Sequence, residues 1–314
     1  WLMTKLKGIL LTEGMHGMIS QVEGLAKALD LDFTHHTVEL SNFWKLLPPK
    51  LTPISQKVFK KINTEDFDVI ISCGRKSIIP SIYLKKNSSK KITNIHIQDP
   101  KVNLSNFNYI IAPEHDGLNG KNVFLTKGAI HYLTKKEIKN NNDYLKNRLE
   151  SNKEYFLLVL GGPTKHYDYS DENISNIFDL FNDLVKKNNL QGIVIPSMRT
   201  PKNIISLSKN KLGSNSLIIE NVDKKAYLSA LSLAKYIAIT CDSTSMVSEA
   251  ALTGKPIYVA DIQTKKNDYR IKKFKELFTK LNIIKKLDNE LETWHYEILD
   301  ETSRIAKEKK KKLT

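Results

Sequence analysis

Thr240-Cys241-Asp242-Ser243-Thr244-Ser245-Met246-Val247-Ser248-Glu249-Ala250 follows the apolar run Tyr236-Ile237-Ala238-Ile239, and its reading decides the fold. A buried strand runs into a hydroxyl-rich turn and then into a helix, expected to begin near Met246, that bears one carboxylate. Such a helix start leaves backbone N–H groups unpaired and turns the positive end of the helix dipole toward an anion, which suits a nucleotide diphosphate. Ser243, Thr244 and Ser245 add hydroxyl donors there. Glu249 lies one helical turn past Ser245 on the same face, placed to accept hydrogen bonds from the two ribose hydroxyls. Ordinary capping competes with this explanation, because hydroxyl residues cap helices and an early Glu favours the dipole with or without a ligand. The reciprocal capping box is unavailable, however, since the residue three before Glu249 is Met246, which has no hydroxyl. The ligand reading is preferred.

Outward from this motif, short apolar runs alternate with amphipathic stretches. Strands are expected at 8–12, 33–38, 69–72, 93–97, 109–112 and 123–126, with a helix over 19–29. A polar, Asn-rich stretch at 140–153 separates these from a second series: strands at 155–160, 192–196, 216–220, 236–239 and 256–259, helices at 174–187 and 226–234. The pattern is that of parallel, doubly wound α/β sheets. Two Rossmann-like domains are expected, an N-terminal acceptor-side one over 1–145 and a C-terminal donor-side one over 146–314, the latter closing in the basic helix 304–312 with a frayed end. At 314 residues, 40% of them hydrophobic, the chain is long enough for two cores.

The formal net charge of +15 comes from 49 Lys and Arg against 34 Asp and Glu. It favours acidic partners such as phosphates or anionic lipid headgroups, or else reflects a solvated lysine surface. Nucleic acid is not among the partners expected. Cys73 and Cys241 each end an apolar run and lack metal-ligand spacing, which argues for a reducing compartment. No apolar run approaches the ~20 residues of a membrane span, and Trp1-Leu2-Met3 has no signal-peptide pattern, with translation expected to start at Met3. A cytoplasmic location follows, with peripheral contact at an anionic inner-membrane surface open to Lys307 and Lys309 to Lys312.

In open parallel sheets ligands sit beyond the carboxyl ends of the strands. Gly14, His16 and Gly17 form a turn of this kind after the first strand, where glycines admit close backbone approach and His16 is suited to general-base work. Gly161, Gly162, Lys165 and His166 follow the first strand of the second series, where a flexible backbone and two basic side chains suit phosphate oxygens. Arg199, within Ser197-Met198-Arg199-Thr200-Pro201, is placed to clamp a diphosphate through paired hydrogen bonds. Each cluster alone is an ordinary turn signal; three phosphate-suited clusters at successive strand ends are less accidental. Arg75, Gln98, Asp99, Glu114, His115, Asp116 and His131 also follow strands and are expected to line an acceptor cleft. Asp30-Leu31-Asp32 and Asp66-Phe67-Asp68 have the spacing of metal-dependent sugar transferases, yet read better as turn residues. No metal site, P-loop, Gly-x-Ser-x-Gly or His-Glu-x-x-His motif is present.

The ordered set Ser20-Gln21, Gly74-Arg75-Lys76-Ser77, Ile97-Gln98-Asp99-Pro100, Pro113-Glu114-His115-Asp116, Gly128-Ala129-Ile130-His131, Gly161-Gly162 with Lys165-His166, Ser197 to Pro201 and Asp242 to Ala250 resembles the mitochondrial-fission ELM-type family. That family comprises plant proteins and alphaproteobacterial relatives regarded as glycosyltransferases of the GT-B type. The resemblance spans roughly residues 8–261. It implies a GT-B-like fold, two Rossmann-like domains facing across a cleft, and no metal requirement. The second half also resembles donor domains of lipid-directed GT-B enzymes, in which a helix-borne glutamate grips the donor ribose. Glu249 carries over as that glutamate, and Ser243, Thr244 and Ser245 as the diphosphate turn. His16 matches the glycine-rich acceptor-domain turn of the enzyme that builds lipid-linked peptidoglycan precursors, with one glycine fewer between its ends.

The expected function is a metal-independent glycosyltransferase that needs no cofactor, moving sugar from a nucleotide-diphosphate donor to an envelope-glycan or lipid acceptor. Arg199, Lys165 and the helix start at Ser245 would stabilise the departing diphosphate, while His16 or the Glu114, His115, Asp116 cluster takes the acceptor's proton. The alternative is a non-catalytic adaptor or membrane-associated scaffold of the mitochondrial-fission type on the same fold. An NAD-dependent epimerase fits poorly, because no G-x-G-x-x-G follows the first strand.

Overall fold

Strands buried on both faces can be continuous apolar runs only where helices cover each side, and the inner strands of both sheets satisfy this condition. The computed structural model describes residues 4–313; the start expected at Met3 lies outside them. The chain divides into two compact units, Trp1–Tyr132 with Asp300–Thr314, and Leu133–Leu299.

In the first unit β1 (Lys7–Thr12), α1 (His16–Ala28), β2 (Asp32–Thr37), β3 (Val69–Cys73), α2 (Ile78–Lys86), β4 (Thr93–Ile97), β5 (Tyr109–Pro113) and β6 (Val123–Thr126) follow one another. The strands form a parallel sheet in the order β2-β1-β3-β4-β5-β6. Side chains alternate across it: Leu10 and Ile71 pack with Val22 and Leu25 of α1, whereas Ile9, Leu11 and Ile70 pack with Val38 and Phe67. The winding direction reverses between β1 and β3, the flavodoxin-like switch point. There Gly74, at φ 101°, approaches Glu13 and Met18 so closely that an added Cβ would meet Glu13 Oε2 at 2.5 Å.

The second unit runs α3 (Lys135–Asn140), β7 (Glu154–Val159), α4 (Asp171–Lys187), β8 (Leu190–Ile195), α5 (Lys202–Leu212), β9 (Ser216–Ile218), α6 (Lys224–Leu233), β10 (Ala234–Thr240), α7 (Thr244–Ala250), β11 (Ile257–Ala260), α8 (Tyr269–Lys280) and β12 (Ile284–Lys286). Its parallel sheet has the order β12-β11-β10-β7-β8-β9. This is the Rossmann arrangement, with the reversal between β7 and β10. Phe156 of β7 and Phe181 of α4, ring centroids 4.6 Å apart, anchor the helix to the sheet.

Two expectations change. The Asn-rich stretch after Asn140 is folded against the second unit: the Leu145 N–H donates to Ser229 Oγ at 3.1 Å, and Ser232 Oγ donates to Asn142 Oδ1 at 2.6 Å, so its polar side chains serve internal bonds with α6. The division therefore falls at 132/133, not 145/146. The basic C-terminal segment, α9 (Glu301–Leu313), belongs to the first unit, where it packs on α1 with Ile305 and Ala306 buried. Lys309 is buried too, its ammonium over the Phe124 ring, so the segment is a docked helix and not a solvated tail. Among the described residues no helix is long and apolar enough to cross a membrane.

Candidate functional site

The switch point of the second sheet brings three loops together. Gly161 and Gly162 leave β7, Ser197 to Thr200 leave β8, and Cys241 to Ser243 leave β10. Their common partner is Asp242, whose side chain is 0% exposed. Its Oδ2 accepts from the Gly162 N–H at 3.1 Å and from Arg199 Nη2 at 3.1 Å, and its Oδ1 accepts a short hydrogen bond from the Tyr169 hydroxyl. Tyr169 also lies 3.0 Å from Thr240 Oγ1, which accepts from the Gly161 N–H at 2.8 Å. Burial, followed by the Asp242 charge, pushes the Tyr169 phenol far above its ordinary range, so it keeps its proton and donates it to Asp242. Thr200 Oγ1 closes the third side, donating to the Gly161 carbonyl at 2.6 Å and accepting from the Ser197 N–H at 2.9 Å.

Both glycines are explained by this crowding. A Cβ on Gly161 would lie 2.0 Å from Asp242 Oδ2, and one on Gly162 would lie 2.2 Å from the Arg199 carbonyl oxygen. Arg199 is held from beneath, its Nη1 donating to the Gly162 carbonyl at 3.1 Å, yet its side chain remains 47% exposed. A guanidinium carries five donors, so two anchored bonds leave others facing solvent.

Beside Arg199 begins α7. Ser243 precedes it, buried, and makes no capping bond to the first turn; its Oγ instead donates to Asp242 Oδ2 at 3.4 Å. Ser245 is exposed, and Ser248 Oγ bonds back to the Thr244 carbonyl at 3.0 Å. Glu249, on the same helix, is half-buried, not in bulk solvent. Burial pushes its carboxyl up to about 8 against the pull of the Tyr227 hydroxyl and Lys224, both of α6. Of the other predicted donor residues, Lys165 is exposed, and His166 Nδ1 is buried with no hydrogen-bond partner among the described residues. Burial raises the Cys241 thiol to about 12, making it unreactive, and Cys73 likewise.

The first-unit candidates are less convergent. His16 opens α1, exposed, its Nε2 3.4 Å from the Tyr132 hydroxyl. Gly14 adopts φ 87° and needs its glycine, whereas Gly17 has open space around it. His115 and Asp116 are a pair at 3.8 Å, with Glu114 exposed beside them. Gln98 leaves β4 at φ 86°, and Asp99 is tied to Lys101 at 3.1 Å. The neighbouring His96 is buried and kept neutral, pushed down to about 3, with Ser72 Oγ at 2.8 Å from Nδ1. Arg75 is exposed and donates to the carbonyls of Leu47 at 2.9 Å and Lys45 at 2.6 Å in the loop before it. One assignment to an acceptor cleft is corrected. His131 is buried where α9 meets α1: Thr302 Oγ1 bonds its N–H and carbonyl, each at 3.0 Å, and only the absent side chain of Gly24 lets α1 approach that carbonyl. The Asp pairs are structural, Asp66 and Asp68 bridging Lys90 and Asp30 turning at φ 58°. Tyr169, Thr240 and Tyr227 complete the second-unit site without having been singled out in the sequence.

Comparison with known proteins places this geometry in context. The sequence model for mitochondrial fission ELM1 matches residues 16–313. A Rickettsia prowazekii (strain Madrid E) protein, RP120, is 26% identical over 92% of this chain and 94% of its own length. The mitochondrial fission protein ELM1 of Arabidopsis thaliana is 22% identical over 76% of this chain, which spans 62% of that longer protein. Among solved structures, the UDP-GlcNAc 2-epimerase from Neisseria meningitidis, bound to UDP-GlcNAc, superposes with a TM-score of 0.54 at 15% identity, covering 98% of this chain and 100% of that one. MurG from Acinetobacter baumannii gives 0.50 at 10% identity, covering 89% and 85%. Likeness at this identity establishes the fold, a GT-B-like pair of Rossmann-like units.

Proposed function

The chain belongs to the mitochondrial fission ELM1 family, and from that premise we propose that it binds a nucleotide-diphosphate sugar at the switch point of its second unit and transfers the sugar to an envelope-glycan or lipid acceptor. The observation that carries this is the convergence of the β7, β8 and β10 loops on buried Asp242, which holds Arg199 with its outer edge free beside the uncapped start of α7. A fixed guanidinium takes a diphosphate at less entropic cost than a mobile one. When the bond from the anomeric carbon to the donor phosphate breaks, Arg199, Lys165 and the first N–H groups of α7 stabilise the charge left on the diphosphate. Glu249 accepts from the ribose hydroxyls. The acceptor hydroxyl must lose its proton to a base, and the candidates carried from the sequence are His16 and the Glu114, His115 and Asp116 cluster.

The test is a thermal-shift panel of nucleoside mono- and diphosphates, followed by calorimetry on Glu249→Ala. One diphosphate should raise the midpoint, and the variant should bind it about tenfold more weakly, the scale of hydrogen bonds from the two ribose hydroxyls to an uncharged acceptor. A variant that binds every nucleotide as the parent does rules out the donor site.

A non-catalytic adaptor on the same fold is the second reading, favoured by the first unit, where His131 serves packing and the exposed His16 meets the Tyr132 hydroxyl. Nucleotide binding with no sugar transfer or donor hydrolysis would select it.

A further inference from the structure

From Leu40 to Thr64 the chain carries Lys45, Lys50, Lys57, Lys60 and Lys61 and no acidic residue. This stretch joins β2 to β3 and is closed at its base. Leu40 and Phe59 form an antiparallel bridge, the Ser41 N–H donates to the Val58 carbonyl at 2.8 Å, and Ser41 Oγ donates to the Lys57 carbonyl at 3.0 Å. Its near side is anchored, with Val58, Phe59 and one edge of Trp44 packing against Ile79 and Tyr83. The two bonds from Arg75 to the Lys45 and Leu47 carbonyls fix the turn above them. The loop is therefore ordered by its own contacts and by α2.

Its outer side is apolar without being covered. Phe43 is 63% exposed, Leu46 77% and Leu51 66%, with Ile54 also at the surface. Phe43 and Leu46 stand three residues apart across a tight 3-10 turn, so they project on one side of it. Among the described residues Leu46 and Leu51 enter none of the first unit's core clusters, and Phe43 meets Trp44 at its margin, so the core does not demand this much apolar surface. Single exposed apolar residues are ordinary; several on one anchored loop mark a contact surface.

We propose that this loop is a docking surface for an anionic phospholipid bilayer. Its chemistry selects that occupant over a protein. The charges between Glu39 and Glu65 are all lysines, of which Lys60 faces Glu39 at 3.9 Å. The stems of Lys45 and Lys50 can lie along the apolar tip while their ammonium groups reach phosphate level, and an aromatic pair, Phe43 and Trp44 with ring centroids 4.8 Å apart, stands beside Lys45 in sequence. Lys57 Nζ lies 5.9 Å over the Trp44 ring, keeping one cation beside the aromatic face. The tip enters the headgroup boundary while the lysines pair with lipid phosphates, and the rest of the chain stays in water. The surface is separate from the terminal lysines, where Lys309 is already buried on Phe124, and it does not depend on nucleotide binding.

Sedimentation of the full chain with vesicles tests this, using phosphatidylcholine alone and phosphatidylcholine with phosphatidylglycerol. The parent should sediment with the anionic vesicles only and be released by salt. A lysine at an anionic surface is worth about fivefold in binding, so Lys45→Glu with Lys50→Glu should weaken it at least about twentyfold. Phe43→Ser with Leu46→Ser and Leu51→Ser should remove at least about tenfold at unchanged charge and unchanged thermal midpoint, while Lys310→Glu with Lys311→Glu retains most of the binding. A parent that ignores anionic vesicles, loop variants that bind as the parent does, or loss confined to the terminal variant would each overturn the proposal. So would a parent dimer, seen by sedimentation velocity without vesicle binding, that the loop variant dissolves.

Discussion

Asp242 Oδ2 lies 3.1 Å from Arg199 Nη2, and the two partners are unequally placed: the carboxylate is sealed from solvent, while the guanidinium is half outside. The pair is therefore asymmetric in what each member does. Asp242 holds three loops; Arg199 is what those loops present.

Exchange of the two residues should separate stability from binding. Asp242→Ala leaves the Gly162 N–H and the Tyr169 hydroxyl without their acceptor in a buried place, at about 1–3 kcal/mol each. A loss of about 2–5 kcal/mol in urea unfolding is expected. Arg199→Ala should cost under about 2 kcal/mol, since its exposed half is screened and water can reach the space it leaves. Its effect should instead fall on diphosphate affinity, weakened at least about tenfold, the scale of a lost charge-assisted bond. Equal losses of stability in the two variants would show that the asymmetry has no energetic meaning.

Glu249 supplies a prediction in pH. Its carboxyl, pushed up to about 8 in the folded chain from an ordinary 4.5, keeps a proton that the unfolded chain gives up. Between those values the folded state binds more protons, so this residue's contribution to stability falls as pH rises through the window and levels off above about 8. Glu249→Gln removes the penalty. The variant should match the parent near pH 4 and exceed it by a growing margin toward pH 8, at about 2–4 °C in midpoint for each kcal/mol recovered. A margin that is flat with pH would mean that the side chain ionises freely.

The parts of this arrangement that were legible in the sequence have a common physical basis. A strand buried on both faces is an uninterrupted apolar run, and a polar cluster at its carboxyl end is conspicuous, which is why 236–239 and the hydroxyls after it could be read together. Tyr169 was hidden because its partners Thr240 and Asp242 lie 71 and 73 positions away, and a tyrosine in a loop carries no periodicity to betray them. Asp242 stands inside the quoted motif with no role of its own in the pattern; only the fold reveals that three loops meet on it. The docking of α9 was obscured for a different reason. Its apolar stripe is thin, and the lysine stems that extend it count as polar in any pattern.

The two glycines of the β7 loop admit a steric test. Gly161→Ala sets a methyl 2.0 Å from Asp242 Oδ2 and 2.3 Å from Ser243 Oγ, and Gly162→Ala sets one against the Arg199 carbonyl. The Asp242 and Ser243 side chains are buried and hydrogen-bonded, and the Arg199 carbonyl is backbone, so none of the three yields freely. Overpacking of this kind costs about 1–3 kcal/mol, and because the displaced groups are those that position Arg199, nucleotide affinity should fall in parallel. Calorimetry and thermal melts on both variants check this; a Gly161→Ala variant with parental affinity would mean that the loops tolerate separation.

The terminal helix offers the test that best separates a docked element from a tail. Ile305 is fully buried in the core shared with Leu25 and Ile71, and Glu301 accepts from the Lys127 N–H at 2.9 Å while Arg304 closes on it from the same helix. Ile305→Ala should therefore destabilise the first unit by about 2–5 kcal/mol, the cost of a large-to-small change in a packed core. Lys310→Ala, on the exposed side, should stay within about 0.5 kcal/mol of the parent. Because α9 packs within the first unit, hydrogen exchange should rise in α1 and β3 of the Ile305 variant and leave β7 and β10 unchanged. Unchanged protection in α1 would restore the solvated tail that the composition suggested.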